Sequence, residues 1–303
     1  MHPLIPEAAR LIRAGRLVAF PTETVYGLGA NALDAAAVTR IFEVKGRPST
    51  SPLIVHVASI EMARQLAAGW PEEAELLARR FWPGPLTLIL PKQAVVPDVV
   101  TAGLNTVGLR MPAHPVALDL IREAGLPIAA PSANRFTELS PTQADHVRKS
   151  LGAAVDLIVD AGPTQVGIES TVLTLAGSPA VLRPGMVSLP DIESVIGPVR
   201  RREAPGPGAY RSPGQHERHY RPSTPLLLTL PASGRGAYLY FSVPAASAMS
   251  IRMPAEPDAY AARLYGCLHD LDAEALDWIA VELPPDRPEW AGVRDRLLRA
   301  ASR

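Results

Sequence analysis

Lys45 and Arg47 stand two residues apart in KGRPSTSPL (45–53), an ammonium and a guanidinium set among three hydroxyls and two prolines. Lysine offers a compact point charge and arginine a planar fork, and phosphate oxygens accept both well. Three more segments share this polar, turn-rich character. PTETVYGLG (21–29) brings two threonines, a glutamate and two glycines; APSAN (130–134) brings Ser132 and Asn134; GIESTVL (167–173) brings Glu169, Ser170 and Thr171. Singly, each reads as an ordinary turn, and Lys45 and Arg47 as charges favoured at a helix C-terminus. Collectively they lie beside predicted strands, where open α/β sheets bind ligands. Hydroxyls, glycine amides and two cations form a cradle for an anion. Arg110 sits between Leu109 and Met111, where burial would be costly without an anion beside it. The chain has no G-x-x-x-x-G-K-[ST], no G-x-S-x-G, no H-E-x-x-H and no Cys/His metal spacing. With no activated nucleophile in view, catalysis would rest on positioning and charge stabilisation.

Those segments need a frame of strands and helices. Leu4, Ala8, Leu11 and Ile12 share one helical face that closes at Gly15, and 17–20 reads as a strand stopped by Pro21. Asp34 can cap a helix with the stripe Val38, Ile41 and Phe42, ending near Gly46. Apolar runs predict strands at 53–57, 86–90, 107–111, 127–130, 157–159, 171–175 and 180–182, with helices at 62–68, 72–81, 116–123 and 141–150. The last would start from a capping box of Ser140 and Gln143, with Pro141 at its first position. Residues 21–29 read as one loop. Helices interleaved with many strands predict an α/β layer protein. Composition changes at RRREAPGPGAYRSPGQHERHYR (200–221), a Pro/Gly-rich stretch with no apolar period. Beyond it, strands at 225–230, 238–241 and 278–283 and helices at 259–268 and 293–300 make a small Rossmann-like unit without a G-x-G-x-x-G turn. The expected division is 1–199, a linker at 200–224, and 225–303.

Lys+Arg and Asp+Glu are both 30, so the composition provides no polyelectrolyte grip on nucleic acid. One cysteine rules out an internal disulfide and fits a reducing compartment. The first residues lack the apolar core of a signal peptide, and no run approaches a membrane span. The expectation is a soluble, cytoplasmic protein with no membrane partner.

In these motifs the chain resembles the YrdC/YciO family in its two-domain form. FPTETVYGLGANA, Lys45 and Arg47 as K-x-R, SPLIVHV, FWPGPLTLIL, GLRMPAHP, Ser132 and Asn134 as S-x-N, SPT, ESTV and LRPG follow the family's order through nearly all of residues 5–190. SPG and RHY-x-P in the linker, then PDAYAARLYGCLHDLD, carry the likeness almost to the end. The resemblance implies a YrdC-like twisted mixed sheet with helices around a concave cationic cavity, plus a small Rossmann-like α/β C-terminal domain. It implies a nucleotidyltransferase that makes threonylcarbamoyl-adenylate and pyrophosphate from L-threonine, bicarbonate or CO2, and ATP. By the same resemblance, Thr24, His56, Arg110, Ala130 and Ser170 would hold the threonine. Lys45, Arg47, Ser51, Thr106, Ser132, Asn134, Ser140, Arg183 and Tyr220 would hold the ATP, with the linker as a lid that brings Tyr220 to the nucleotide. Mg2+ would be bridged by phosphates rather than by protein ligands. The implied partners are a downstream threonylcarbamoyl transferase acting on tRNA and a weak RNA contact. The linker departs from the family's SPG-M-K-Y-RHY-A-P, with Gln215, His216 and Glu217 in place of an apolar, a basic and an aromatic residue. Two rivals stand beside this reading. A carbamoyl-adenylate-forming relative would carry zinc fingers, which one cysteine excludes, and a double-stranded RNA-binding module fits poorly with zero net charge.

Overall fold

The computed structural model describes residues 1–201, 220–245 and 249–301. Helix α1 (Ile5–Arg13) buries Ile5, Ala8, Ala9 and Ile12, and Gly15 takes φ 70° just beyond it. Strands β1 (Val18–Pro21) and β2 (Tyr26–Asn31) then form an antiparallel pair. Reading 21–29 as one loop is therefore wrong for its second half. Gly27 and Gly29 are strand residues that leave room for an aromatic ring: a Cβ on Gly29 would come within 2.6 Å of the Phe20 side chain. Glycine in a strand marks such a close approach, and sequence alone reads it as a turn.

The amino-terminal part continues through α2 (Ala35–Lys45), β3 (Ile54–His56), α3 (Ile60–Leu66), α4 (Glu72–Phe81), β4 (Leu86–Pro91), α5 (Asp98–Thr101), β5 (Thr106–Arg110), α6 (Pro115–Ala124), β6 (Ile128–Ala129), α7 (Ala144–Leu151), β7 (Leu157–Ile158), β8 (Thr171–Thr174), β9 (Ala180–Arg183), α8 (Leu189–Ile196) and β10 (Arg200–Arg201). Asp34 caps α2 by accepting from the amides of Ala36 and Ala37. Two short helices, α5 and α8, were not foreseen. The capping box belongs to α8, where Ser188 and Asp191 bond reciprocally. At α7 the expected box is absent: the helix starts after Gln143, and the Ser140 hydroxyl goes to Glu169 instead. Pro141 is not the first helical residue either, because its carbonyl accepts the amide of Tyr26 on β2.

These strands form one mixed sheet in the order β10-β9-β8-β4-β5-β3-β6-β2-β1-β7. Parallel pairs (β3 with β5, β4 with β8) are mixed with antiparallel ones, so both kinds of strand end reach the same rim. Leu28, Val55, Leu88 and Leu109 lie in its largest core cluster, while α1 and α6 pack against Val18 and Phe20 on the other face.

The carboxyl-terminal part contains β11 (Leu226–Leu227), β12 (Gly236–Tyr240), β13 (Met249–Arg252), α9 (Pro257–Asp272), β14 (Trp278–Val281) and α10 (Ala291–Ala301). Its four strands are all parallel in the order β11-β14-β12-β13, a small α/β unit of the expected kind with one strand, β13, unforeseen. Its core is not closed on itself. Val25, Leu139 and Ile168 of the first domain join Tyr260, Leu264 and Leu297 in one buried cluster. Gly292 packs so closely that an added Cβ would meet the Gly185 backbone at 2.8 Å. Most of the linker, including Gln215, His216 and Glu217, lies outside the described residues.

Candidate active site

Eight chain segments converge on one hollow at the sheet's rim. The β1–β2 turn supplies Thr22 and Thr24, the loop after α2 supplies Arg47, and β3 and β5 end side by side at His56 and Arg110. The chain after β6 brings Ala130 and Ser132, and the β8 entry and β9 exit bring Glu169, Ser170 and Arg183. Tyr220 closes one side. About 550 Å3 of empty space lies within and in front of these walls, open solvent at the mouth included. All five residues expected around threonine line this hollow, together with Arg47, Ser132, Arg183 and Tyr220 from the nucleotide set.

The other five expected nucleotide residues do not line it. Lys45 is buried behind the wall, where its ammonium donates to the carbonyls of Ser132 (2.6 Å) and Asn134, tying the end of α2 to the 132–134 loop. Asn134 donates its amide to the carbonyls of Arg135 and Glu138. Ser51 accepts from the Arg47 guanidinium at 2.5 Å. Ser140 donates to Glu169 at 2.5 Å. Thr106 begins β5 opposite Pro91, four residues and thus roughly 13 Å of strand away from Arg110. Four of the five support the wall from behind, and Thr106 is remote from it.

The electrostatics are those of a site built for anions. Lys45 and Arg47 are both buried, and among the described residues neither makes an ion pair with a carboxylate. Burial, and then the charge of Arg47, hold the Lys45 ammonium well below its ordinary pKa. Burial pulls Arg47 down to about 10, with Arg183 acting in the same direction and Tyr220 against it. Arg47, on the wall of the hollow, is destabilised until an anion arrives, whereas Lys45 is held by the two carbonyls behind it. His56 is driven to about 3 by burial and by neighbouring Arg110, so it faces the cavity as neutral imidazole.

Two carboxylates missed as participants balance the remaining cations. Glu23 approaches Arg110 to 2.7 Å but is not aligned for a hydrogen bond with it, while its other oxygen accepts from the amide of Ala113. Glu169 accepts from Ser140, from the Tyr265 hydroxyl (3.2 Å) and from Arg296 (2.7 Å). Burial raises its pKa, but Arg296 and Arg183 outweigh that and leave it below the ordinary value. Arg296 had a visible signal. It falls between Val293, Leu297 and Ala300 on the apolar stripe of α10, and a charge on such a stripe needs a buried partner.

The chain resembles known proteins along nearly its whole length. Residues 10–185 match the Sua5/YciO/YrdC family described as "Telomere recombination", and residues 187–302 match "Threonylcarbamoyl-AMP synthase, C-terminal domain". A threonylcarbamoyl-AMP synthase of Bacillus subtilis is 44% identical across 99% of this chain and 93% of its own length. One of Pyrococcus abyssi is 55% identical across 73% of this chain and 66% of its own. The crystal structure of P. abyssi Sua5 complexed with L-threonine superposes with a TM-score of 0.91 at 43% identity, over 98% of this chain and 94% of that one.

Proposed function

We propose how substrates are held in this chain, which belongs to the Sua5/YciO/YrdC family and is a threonylcarbamoyl-AMP synthase. One observation carries the arrangement: the hydroxyl, imidazole and arginine wall of Thr24, His56 and Arg110 opens into the same hollow as Arg47 and Arg183. A small hydroxy-amino acid and a triphosphate can therefore be neighbours. Threonine takes the inner end. Its carboxylate pairs with Arg110, whose loose approach to Glu23 leaves donors for a second anion, and its hydroxyl meets Thr24 and neutral His56. Ser170 and the backbone at Ala130 complete that end.

ATP takes the outer end. Arg47 faces the phosphates, with Ser51 fixing its guanidinium, and Lys45 shapes the 132–134 loop from behind. Ser132, Arg183 and Tyr220 meet the rest of the nucleotide. Magnesium bound to the triphosphate would supply charge neutralisation there. Glu23 and Glu169 are engaged by arginines, and among the described residues no cluster of His, Cys, Asp or Glu could hold an ion.

The unprotonated threonine amine adds to CO2, releasing its N–H proton to solvent, or to bicarbonate with loss of water, giving a carbamate. A carbamate oxygen attacks the α-phosphorus, the bond to the β-phosphate oxygen breaks, and pyrophosphate leaves. The chain's contribution is to hold the two reactants in line and to offset the charge that accumulates on phosphate oxygens. The product passes to a transferase that modifies tRNA. Work in the cytoplasm is supported by the single cysteine, Cys267, which is free and buried, and by the lack of a membrane-crossing helix among the described residues. The test is pyrophosphate release from ATP in bicarbonate, with and without L-threonine. Release that depends on threonine, and falls at least a hundredfold in Arg47→Ala (about 2.7 kcal/mol), is the expected result. Release that ignores threonine would remove the amino acid from the scheme, and RNA binding without turnover would replace it with a binding module.

A further inference from the structure

The cavity wall is gripped from outside the first domain by side chains of α9 and α10. Arg296 on α10 has a side chain with 0% exposure and divides its donors among separate targets. Nε bonds the Glu169 carboxylate at 2.7 Å, one terminal nitrogen bonds the Glu169 carbonyl at 3.1 Å, and the other bonds the Pro184 carbonyl at 2.9 Å and Asp295 at 2.8 Å. Residue 169 directly precedes Ser170 at the entry of β8, and residue 184 directly follows Arg183 at the exit of β9. These strands are antiparallel neighbours, with Val172 opposite Arg183. One guanidinium thus clamps the two backbone points from which Ser170 and Arg183 enter the hollow. Arg183 in turn donates to the Ser170 carbonyl at 2.9 Å and 3.1 Å and to its hydroxyl at 3.2 Å. The Arg296 guanidinium carbon lies over the Tyr220 ring, 5.1 Å from its centre, and that ring is a third part of the wall. Tyr265 of α9 adds a second carboxyl-terminal donor to Glu169.

We propose that Arg296 is a positioning residue of the synthase site: from the carboxyl-terminal domain it sets the spacing of Ser170, Arg183 and Tyr220, so the second domain is part of the active site. The proposal rests on the functional reading above. It follows from geometry that lysine cannot reproduce. An ammonium can stay beside Glu169, but it lacks the rigid fork that reaches the Pro184 and Glu169 carbonyls together.

The experiment compares the full chain with Arg296→Lys, Glu169→Gln and the double variant Arg296→Met/Glu169→Gln. Thermal unfolding, L-threonine binding by calorimetry without ATP, and threonine-dependent pyrophosphate release are measured for each. The double variant removes both members of the closest buried pair while Asp295 keeps Arg299 as a partner, so it is expected to melt nearer the parent than Glu169→Gln, which strands Arg296 without that carboxylate. Its kcat/KM is nevertheless expected at least tenfold down for threonine and for ATP alike, because Ser170 and Arg183 serve different ends of the hollow. Arg296→Lys should show the same loss. A double variant, or Arg296→Lys, with parental kcat/KM and threonine affinity would overturn the proposal, since the pair would then be structural only. If instead the parent chain releases pyrophosphate without regard to threonine, the substrate assignment has failed. The calorimetric comparison then still decides the positioning role: a tenfold weaker threonine affinity in Arg296→Lys supports it, and an unchanged affinity refutes it.

Discussion

His56 shows how one residue can pay in acid for a role at neutral pH. Its imidazole is buried against Arg110, and its pKa falls from 6.5 to about 3, first through burial and then through that charge. In the unfolded chain it titrates normally. Above pH 6.5 neither state carries the proton and folding is unaffected. Between pH 6.5 and 3 the unfolded state binds a proton that the folded state refuses, so stability is lost as pH falls. At pH 5 the loss from this residue is about 2 kcal/mol. His146, also held at about 3 by burial and then by its stacked neighbour His269, acts in the same sense. His56→Gln should remove only the first contribution. Urea unfolding at pH 7 and pH 5 should therefore show the gap between parent and variant shifting by about 2 kcal/mol in the variant's favour, and parallel pH profiles would contradict the buried neutral imidazole. The variant should also bind threonine more weakly at either pH. Thr24 and Ser170 were readable as members of polar segments, whereas His56 and Arg110, in apolar runs, were named through the family resemblance. Glu23 was not readable, since nothing in PTETV distinguishes a buried counter-ion from a solvated turn carboxylate.

At the scale of elements, the site depends on how tightly β9 leaves past the entry of β8. Gly185 has no room for a side chain: a Cβ there would meet the Thr171 amide nitrogen at 2.4 Å and the Ser170 carbonyl carbon at 2.7 Å. Gly185→Ala must push the 169–171 backbone, which carries Ser170 and Glu169. The expected outcome is a loss of about 1–3 kcal/mol in urea unfolding, typical of overpacking, with weakened threonine binding in calorimetry. Gly69→Ala is the control, since nothing lies within 4 Å of its added methyl; equal effects at the two positions would remove the steric argument. The same crowding explains what sequence left hidden. Strands 86–91 and 106–110 announce themselves as apolar runs, whereas β2 carries two glycines because Phe20 and Ala130 press against it. Likewise, Ser140 looks like a helix cap by spacing alone. Its actual partner, Glu169, is 29 residues away, a separation no local pattern contains.

The whole molecule behaves as two sequence regions with a shared interior. Ile168, next to the cavity residues Glu169 and Ser170, belongs to the same buried cluster as Tyr260, Leu264 and Leu297. A Cβ on Gly167 would come within 2.3 Å of the Ala261 carbonyl oxygen. His269 stacks on His146 at 3.7 Å across the same junction. A boundary this apolar and close-packed opposes the independent motion expected of loosely docked domains, so unfolding should be a single transition. The four tryptophans allow a direct reading. Trp70 and Trp82 lie in the first domain, where their indoles donate to Glu75 and to the Leu86 carbonyl, while Trp278 and Trp290 lie in the second. Trp70→Phe with Trp82→Phe removes two hydrogen bonds from the first domain, at roughly 1 kcal/mol each, and leaves emission from the second domain alone. If the domains unfold together, that emission reports a urea midpoint below the parent's and coincident with the variant's own far-ultraviolet circular dichroism. Independent domains would leave the emission midpoint where the parent's second domain melts, detached from an earlier loss of dichroism. Coupling of this kind is what lets an arginine on the last helix set the geometry of a cavity built from residues 22–183 and Tyr220.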